Sequence, residues 1–267
     1  MIEAIAHPTD FTPEGKVAFA HALRLAVAYR CRLYLLHVRS PSTDDSFDSF
    51  PHVREQLVRW GMLDKGATVE DIRSTLGVTV NKVEIRHHDT VAGLVNFMMG
   101  HRPDLLVMAT HGRQGLNRWL VGSISEDMAR HSHLPTLLIG PDAYPFVDEA
   151  TGALALDDIL VPVTMDPAPG RALLMLDHLT GALGATRHFV HVGNENITLT
   201  APDGTSVPIE RRDGPVVDAL LHEARSKSVD LIAMATAGRD GFLDALRGST
   251  TEQVVREAPC PVLALPA

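Results

Sequence analysis

Residues 104–113 read DLLVMATHGR and residues 230–239 read DLIAMATAGR, an offset of 230 − 104 = 126. The agreement continues without a gap through glycine at 115 and 241, Gly-Ser at 122–123 and 248–249, and proline at 135 and 261. Agreement of this density indicates an internal repeat. The chain of 267 residues is therefore expected to contain two copies of one domain.

A second register relates the upstream parts of the two copies. Ile5 and Pro8 match Ile159 and Pro162, an offset of 154 that also relates the His-Val pairs at 37–38 and 191–192. The offsets differ by 154 − 126 = 28, so the second copy lacks about 28 residues that correspond roughly to 40–80 in the first. Helical spacing at 51–60 is absent from the second copy, where β-branched residues around Pro-Asp-Gly at 202–204 predict a β-hairpin.

The domain boundaries follow from these registers. Residues 1–140 form the first predicted domain and residues 157–267 the second, shortened one. Between them, 141–156 is rich in proline, glycine and acidic residues, which is typical of a linker.

Apolar runs alternate with helical patterns along the first copy. Strands are predicted at 2–7, 33–38, 80–86, 105–110 and 136–139. Helices are predicted after Thr12-Pro13, after Asp89, where the pattern runs to 99, and from Ser123. This alternation predicts an α/β fold with two tandem doubly wound, Rossmann-like parallel sheets.

The composition narrows the class of protein. A formal charge of −9 argues against a nucleic-acid partner. Two widely spaced cysteines, Cys31 and Cys260, give no disulfide framework, and no signal peptide or run of about 20 apolar residues is visible. We therefore expect a cytoplasmic protein that does not associate with membranes.

Three segments are expected to meet at one edge of the first sheet. They are residues 8–12, Val38, and the glycine-rich loop 112–115 with Gly122-Ser123. Ligands of such sheets bind beyond the carboxyl ends of the strands, and exposed N–H groups at a helix start favour an anion. A structural reading remains open for each segment, because Ser123 with Glu126 also forms a capping box and Asp10 alone could cap the first helix.

The combination His111-Gly112-x2-Gly115-x6-Gly122-Ser123, flanked by DLLVMAT and PTLLI and preceded by PTDFT at 8–12, resembles the universal stress protein family. The resemblance covers nearly all of 1–140 and a shortened copy at about 157–267. It implies a fold like that of the adenine-nucleotide α-hydrolases. The ATP-binding branch carries Gly-x2-Gly-x9-Gly-[Ser/Thr], whose leading glycine is Ala109 in the first copy and Ala235 in the second.

The resemblance also implies the ligand and the residues that hold it. The ligand would be ATP, or ADP or AMP, with Mg²⁺ as an accompanying ion. In the first copy Asp10 and the backbone of Val38 would hold the adenosine, while the glycine-rich loop would hold the phosphates. The residues implied in the first copy are Pro8, Thr9, Asp10, Val38, Met108, Ala109, His111, Gly112, Arg113, Gly115, Gly122, Ser123, Ile124 and Ser125.

The second copy departs from this pattern, because Thr164 replaces Asp10 and Ala237 replaces His111. It keeps the phosphate end, so we expect a second, weaker site. The residues implied there are Pro162, Thr164, Val192, Ala235, Gly238, Arg239, Gly241, Gly248, Ser249 and Thr250.

Other chemistries have weaker signals. The histidines at 87–88, 131 and 133 lack the four-ligand spacing of a structural zinc site, and neither a nucleophile elbow nor a P-loop is present. We predict an ATP-binding regulatory or sensing module of the stress response, with no metal site and an unknown protein partner. The alternatives are a slow ATP hydrolase or phosphotransfer enzyme that uses the same pocket, and a scaffold that has lost nucleotide binding.

The repeat also suggests an assembly. The resemblance implies that single-domain members of the family pair as homodimers through their last strands. We therefore expect the two halves of this chain to form an intrachain pseudo-dimer through 136–139 and 261–265. A further homodimer is an open alternative.

Overall fold

The computed structural model describes residues 2–39, 50–110, 134–200, 204–236 and 250–267. The chain divides into two compact units. The first comprises Met1–Pro141 with Val147–Leu154, and the second comprises Asp142–Phe146 with Ala155–Ala267.

The first unit is a five-stranded parallel sheet with helices between its strands. Its strand order is β5-β4-β1-β2-β3. The elements are β1 (Ala4–Pro8), α1 (Pro13–Tyr29), β2 (Arg32–Arg39), α2 (Val53–Arg59), α3 (Val69–Leu76), β3 (Thr79–Arg86), α4 (Thr90–His101), β4 (Leu105–Ala109) and β5 (Thr136–Ile139).

The second unit repeats this order with different insertions. Its parallel strands run β10-β7-β6-β11-β12. The elements are β6 (Asp158–Pro162), α5 (Gly170–Thr180), β7 (Thr186–Val192), β8 (Leu199–Thr200), β9 (Ser206–Val207), β10 (Glu210–Arg212), α6 (Val216–Ser226), β11 (Leu231–Thr236), α7 (Thr250–Glu257) and β12 (Val262–Pro266). The predicted α/β class and parallel sheets are confirmed.

The segment that follows β2 in the first unit differs from the segment that follows β7 in the second, as the sequence predicts. In the first unit, the helical spacing of 51–60 becomes α2, followed by α3. In the second unit, β8 and β9 pair antiparallel, with Leu199 opposite Val207. Predicted strand limits shift by one or two residues, since β1 begins at Ala4 and β4 ends at Ala109.

Helix α1 begins and ends where its sequence dictates. The Thr12 side chain accepts a hydrogen bond from the backbone N–H of Gly15, and Pro13 occupies the first turn, where a missing N–H costs nothing. Ala20, Leu23 and Ala26 are fully buried on one face, and the helix packs on β1 and β4. Apolar burial on one stripe therefore fixes α1 over the centre of the sheet.

The matching stretches 104–113 and 230–239 each begin with an aspartate, and both aspartates have a structural role. Asp104 Oδ2 accepts hydrogen bonds from the backbone N–H groups of Glu3 and Ala4 at 2.8 and 3.0 Å. Asp230 Oδ2 accepts from Asp157 and Asp158 at the same distances. Each carboxylate fixes the start of the first strand of its unit against the neighbouring strand.

Part of the predicted linker packs on the first unit. We call residues 147–154 the strap. Gln56 Nε2 and Trp60 Nε1 both donate to the carbonyl oxygen of Glu149, at 2.8 and 2.9 Å. Arg24 Nε donates to the carbonyl of Gly152 at 2.9 Å, and the Val147 N–H donates to His21 Nε2 at 3.3 Å. Side chains of α1, of α2 and of Trp60 directly after α2 therefore hold the strap by its backbone.

A buried carboxylate in the second unit provides a stability test. Glu223 on α6 is 3% exposed and contacts Arg212 and Lys227. Hydrogen bonds from Arg212 hold the pKa of Glu223 below its ordinary value, so the ionised carboxylate stabilises the folded unit. This contribution to the free energy of unfolding is present at neutral pH and is lost as the pH falls through the lowered pKa. We expect Glu223→Gln to lower the free energy of unfolding by about 1–2 kcal/mol in urea denaturation, because it removes the charge that both cations contact. The loss stays below that of a fully buried ion pair because both cations are partly solvated and can rehydrate.

The control for this test is Glu210→Gln. Glu210 contacts the same two cations, but its side chain is 43% exposed. An effect of Glu210→Gln as large as that of Glu223→Gln would show that burial does not set the strength of this contact.

Candidate functional site

The order of strands in the first unit creates a crevice at its centre. From β1 the chain proceeds through β2 to β3 on one side, and then places β4 and β5 on the other. The switch in direction therefore lies between β1 and β4, and ligands of doubly wound sheets bind at the carboxyl side of such a point. Ile5 and Ala6 pair with Leu105 and Leu106, and the predicted Pro8, Met108 and Ala109 follow on the two strands.

A histidine bridges the two strands just beyond this pairing. His7 Nδ1 donates to the carbonyl oxygen of Val107 at 2.9 Å, and the ring lies against Phe19 with centroids 6.2 Å apart. The side chain is 1% exposed, and Nε2 has no hydrogen-bond partner within the described ranges. Burial lowers the pKa of His7 to about 4, so the ring is neutral at pH 7 and Nε2 is a hydrogen-bond acceptor.

Asp10 lies two residues after the end of β1, on a loop fixed by its own side chains. Its Oδ1 accepts hydrogen bonds from the N–H and Oγ1 of Thr12, at 3.1 and 2.6 Å. Thr12, and not Asp10, is the N-cap of α1. Oδ2 of Asp10 makes no hydrogen bond in the described part of the chain. The carboxylate is therefore oriented at the edge of the sheet, with one oxygen available to a ligand.

The end of β2 is joined to the same loop. His37 Nδ1 bonds the carbonyl oxygen of Thr9 at 2.9 Å, and the Phe11 ring stacks on His37 with centroids 4.2 Å apart. Phe11 has a φ of 62°, a conformation that is uncommon for a bulky residue and is held here by this stacking. Val38, half-buried, pairs with Ile85 of β3. The structure thus brings Thr9, Asp10 and Val38 to one edge, as the sequence predicts.

The second unit has a different arrangement at the corresponding place. Thr164 is exposed, and its hydroxyl bonds the backbone of Asp166. Helix α5 begins only at Gly170 and has no side-chain cap. The other predicted residues lie at or near the ends of their strands: Pro162 in β6, Val192 in β7 and Ala235 in β11. Thr250 is the first described residue of α7. No carboxylate of the described second unit occupies the position of Asp10.

The predicted phosphate-binding loops lie outside the described residues. These are His111, Gly112, Arg113, Gly115, Gly122, Ser123, Ile124 and Ser125 in the first copy, and Gly238, Arg239, Gly241, Gly248 and Ser249 in the second.

Other candidate chemistries have structural explanations. Asp89 Oδ1 accepts a hydrogen bond from the Ala92 N–H and caps α4, which accounts for the acidic residue after His87-His88. In the described ranges no three His, Cys, Asp or Glu side chains are grouped to hold a metal ion. Burial raises the pKa of both cysteine thiols to about 12, so Cys31 and Cys260 are packing residues. No helix among the described residues has both the length and the apolar character to cross a bilayer.

Comparison with known proteins identifies the family. The sequence pattern of the Universal stress protein family matches residues 1–140 and 194–266. The chain belongs to this family and carries the matching domain twice.

One curated relative and two solved structures illustrate what the chain is similar to. A universal stress protein of Methanocaldococcus jannaschii is 25% identical over 141 residues, which cover 52% of this chain and 82% of that protein. The structure of a universal stress protein from Archaeoglobus fulgidus, at 18% identity, has a TM-score of 0.65 and covers 98% of this chain and 96% of its own, which shows the shared fold. A universal stress protein solved in complex with cAMP is 20% identical, with a TM-score of 0.35, over 51% of this chain and 96% of its own.

Proposed function

We propose that the protein binds an adenine nucleotide at the β1–β4 crevice of its first unit and acts as a regulatory or sensing module of the stress response. The observation that carries the proposal is the carboxylate of Asp10, which Thr12 orients at the topological switch point. Sites of this kind are where doubly wound sheets bind nucleotides. Membership of the universal stress protein family gives the biological setting.

The polar groups at the crevice fit a nucleoside. Asp10 Oδ2 can accept a hydrogen bond from a ribose hydroxyl, and the backbone of Val38 offers polar groups at the end of β2. His7 Nε2 is a buried acceptor without a partner in the described ranges, at the point where β1 and β4 stop pairing. The phosphates would be held by the glycine-rich loop from Gly112 to Ser123, and Mg²⁺ would offset part of their charge.

The two copies are expected to differ in affinity. A hydrogen bond to a charged group contributes about 1.5–3 kcal/mol, and only the first copy has a carboxylate at this position. Each 1.4 kcal/mol is about tenfold in affinity, so the first site should be roughly ten- to a hundredfold tighter.

Calorimetric titration of ATP tests this proposal. Asp10→Ala should weaken the tighter phase by roughly ten- to a hundredfold, since it removes the carboxylate that would accept from the ribose. Thr164→Ala, at the equivalent position of the second copy, is the matched control and should leave that phase unchanged. If both variants keep the parent affinity, Asp10 does not hold the nucleotide. Steady-state phosphate release above a blank would favour the hydrolase alternative.

A further inference from the structure

Helix α4 has an uncharged outer face. Its sequence, TVAGLVNFMMGH, contains no aspartate, glutamate, lysine or arginine. The helix packs on β2 and β3, and Leu94 and Met98 on its inner face are 1% and 3% exposed. Four residues at the spacing of one helical face are half-buried or exposed on the other side, and we call them the outer stripe: Ala92, Val95, Asn96 and Met99. Met99 is 71% exposed, so the stripe faces solvent in the single chain.

The helix that matches α4 in the second unit has charged residues on this face. The repeat offset of 126 relates the start of α4 to the start of α6. Asp218 then stands at the position of Ala92. Arg225 stands at that of Met99, and both charged residues are exposed. Packing within a unit therefore does not require an uncharged outer stripe. Depletion of charge around an exposed methionine is instead typical of the core of a protein interface.

Opposite charges flank the outer stripe. Asp89 precedes α4, and its Oδ1 accepts a hydrogen bond from the Ala92 N–H in the first turn. Arg102 directly follows the last turn, and Asp89 and Arg102 are both exposed. A second α4 packed antiparallel would bring Asp89 of each helix to the end that carries Arg102 of the other. The opposed helix dipoles would add to this attraction. The charges at the two ends therefore favour a second copy of α4, in antiparallel orientation, as the partner.

The outer stripe also fits itself in that orientation. Its spacing is the same when it is read from either end, so the large Met99 of one helix meets the small Ala92 of the other. Val95 and Asn96 lie at the centre, next to the twofold axis of such a pair. The amide of Asn96 is both a donor and an acceptor, so the two copies can bond each other across the axis.

We propose that the outer stripe is a homodimer interface, which binds the outer stripe of a second copy of this chain with the two helices antiparallel. The contact is small, because α4 has 12 residues and is only about 18 Å long. One face of such a helix against another buries on the order of 700 Å² in total, which is below the size of a stable interface. The dimer is therefore weak and reversible, and its population depends on the protein concentration.

Sedimentation velocity of the full chain between about 5 and 500 µM tests the proposal. We expect the sedimentation coefficient to rise with concentration, with a dissociation constant of about 0.1 mM. Asn96→Glu should weaken association about tenfold or more, since it sets two like charges beside the axis. His222→Glu introduces an acid at the equivalent position of α6 and should leave association unchanged. Arg102→Glu should weaken association about fivefold, because it faces Asp89 of the second copy with another acid.

Crosslinking identifies the face that pairs. Asn96→Cys should give a covalent dimer with a short bismaleimide, because the two introduced thiols lie close together across the axis. His222→Cys is the control and should give no dimer at the same protein concentration. The native thiols do not compete, since Cys31 and Cys260 are 5% and 2% exposed.

Three results would overturn the proposal. The first is a parent chain that stays monomeric up to about 500 µM. The second is an Asn96→Glu variant that associates as tightly as the parent, which would place the dimer contact elsewhere on the molecule. The third is equal crosslinking of Asn96→Cys and His222→Cys, which would show that the thiols meet by random collision. Loss of association in Asn96→Glu with an unchanged urea midpoint supports the outer stripe, because the variant is then folded.

Discussion

Acidification from pH 7 to pH 5 is expected to lower the free energy of unfolding of the first unit by roughly 3–4 kcal/mol. Burial lowers the pKa of both His7 and His21 to about 4, from 6.5 in an unfolded chain. Below pH 6.5 the unfolded chain gains protons that the folded unit does not accept. The stabilisation is therefore fully present above pH 6.5 and is lost as the pH falls towards 4.

The hydrogen bonds of His21 explain why its ring stays neutral. Nδ1 donates to the Val17 carbonyl at 2.7 Å, and Nε2 accepts from the Val147 N–H at 3.3 Å. Protonation would place an N–H of the ring against the N–H of the strap. Acid should therefore weaken the attachment of the strap as well as the core.

Urea denaturation followed by tryptophan fluorescence measures this effect. Both tryptophans, Trp60 and Trp119, belong by sequence to the first unit. His7→Val copies the residue at the equivalent position of the second copy, Val161, and should remove about half of the difference between pH 7 and pH 5. Val161→Ala, the control, should destabilise by similar amounts at both pH values. An unchanged pH dependence in His7→Val would contradict the assignment.

Gly152→Ala is expected to cost roughly 3 kcal/mol of stability. Gly152 has a φ of +71°, and a methyl group there would lie 2.4 Å from Cδ2 of Trp60 and 2.6 Å from its Cγ. The indole cannot move away freely, because Trp60 is 8% exposed and its Nε1 donates to Glu149. The strap must therefore shift, and the hydrogen bonds to Glu149 and Gly152 are lost with it.

Gly61→Ala is the matched control. Gly61 has a φ of +68° and no heavy atom within 4 Å of the added methyl group, so this change isolates the backbone strain, about 1 kcal/mol. Urea midpoints of the two variants give the comparison, and protease cleavage within 147–154 should increase only in Gly152→Ala. Equal losses in the two variants would show that the contact with Trp60 does not hold the strap.

The sequence alone predicts the fold because the repeat and the apolar strands are local patterns. The match between 104–113 and 230–239 defines the two domains, and the alternation of strands and helices defines the parallel sheets. Asp10 was also predictable, because the order of elements places it after the first strand. Sequence spacing does not show that Thr12, which caps α1, also orients the Asp10 carboxylate.

The features missed from the sequence depend on contacts between distant residues. The roles of His7 and of Gly152 follow from contacts with Val107 and Trp60, which are far away in the chain. A histidine within an apolar strand was a visible signal for His7. The linker composition of 141–156 does not show that Arg24, Gln56 and Trp60 hold its backbone.

Native mass spectrometry of the protein as purified tests the central claim most directly. The first unit should carry one adenine nucleotide, seen as a single adduct that is lost on Asp10→Ala and retained on Thr164→Ala. An intact chain that carries no nucleotide and gains none in excess ATP would contradict the account. An adduct that persists unchanged in Asp10→Ala would contradict the proposed site.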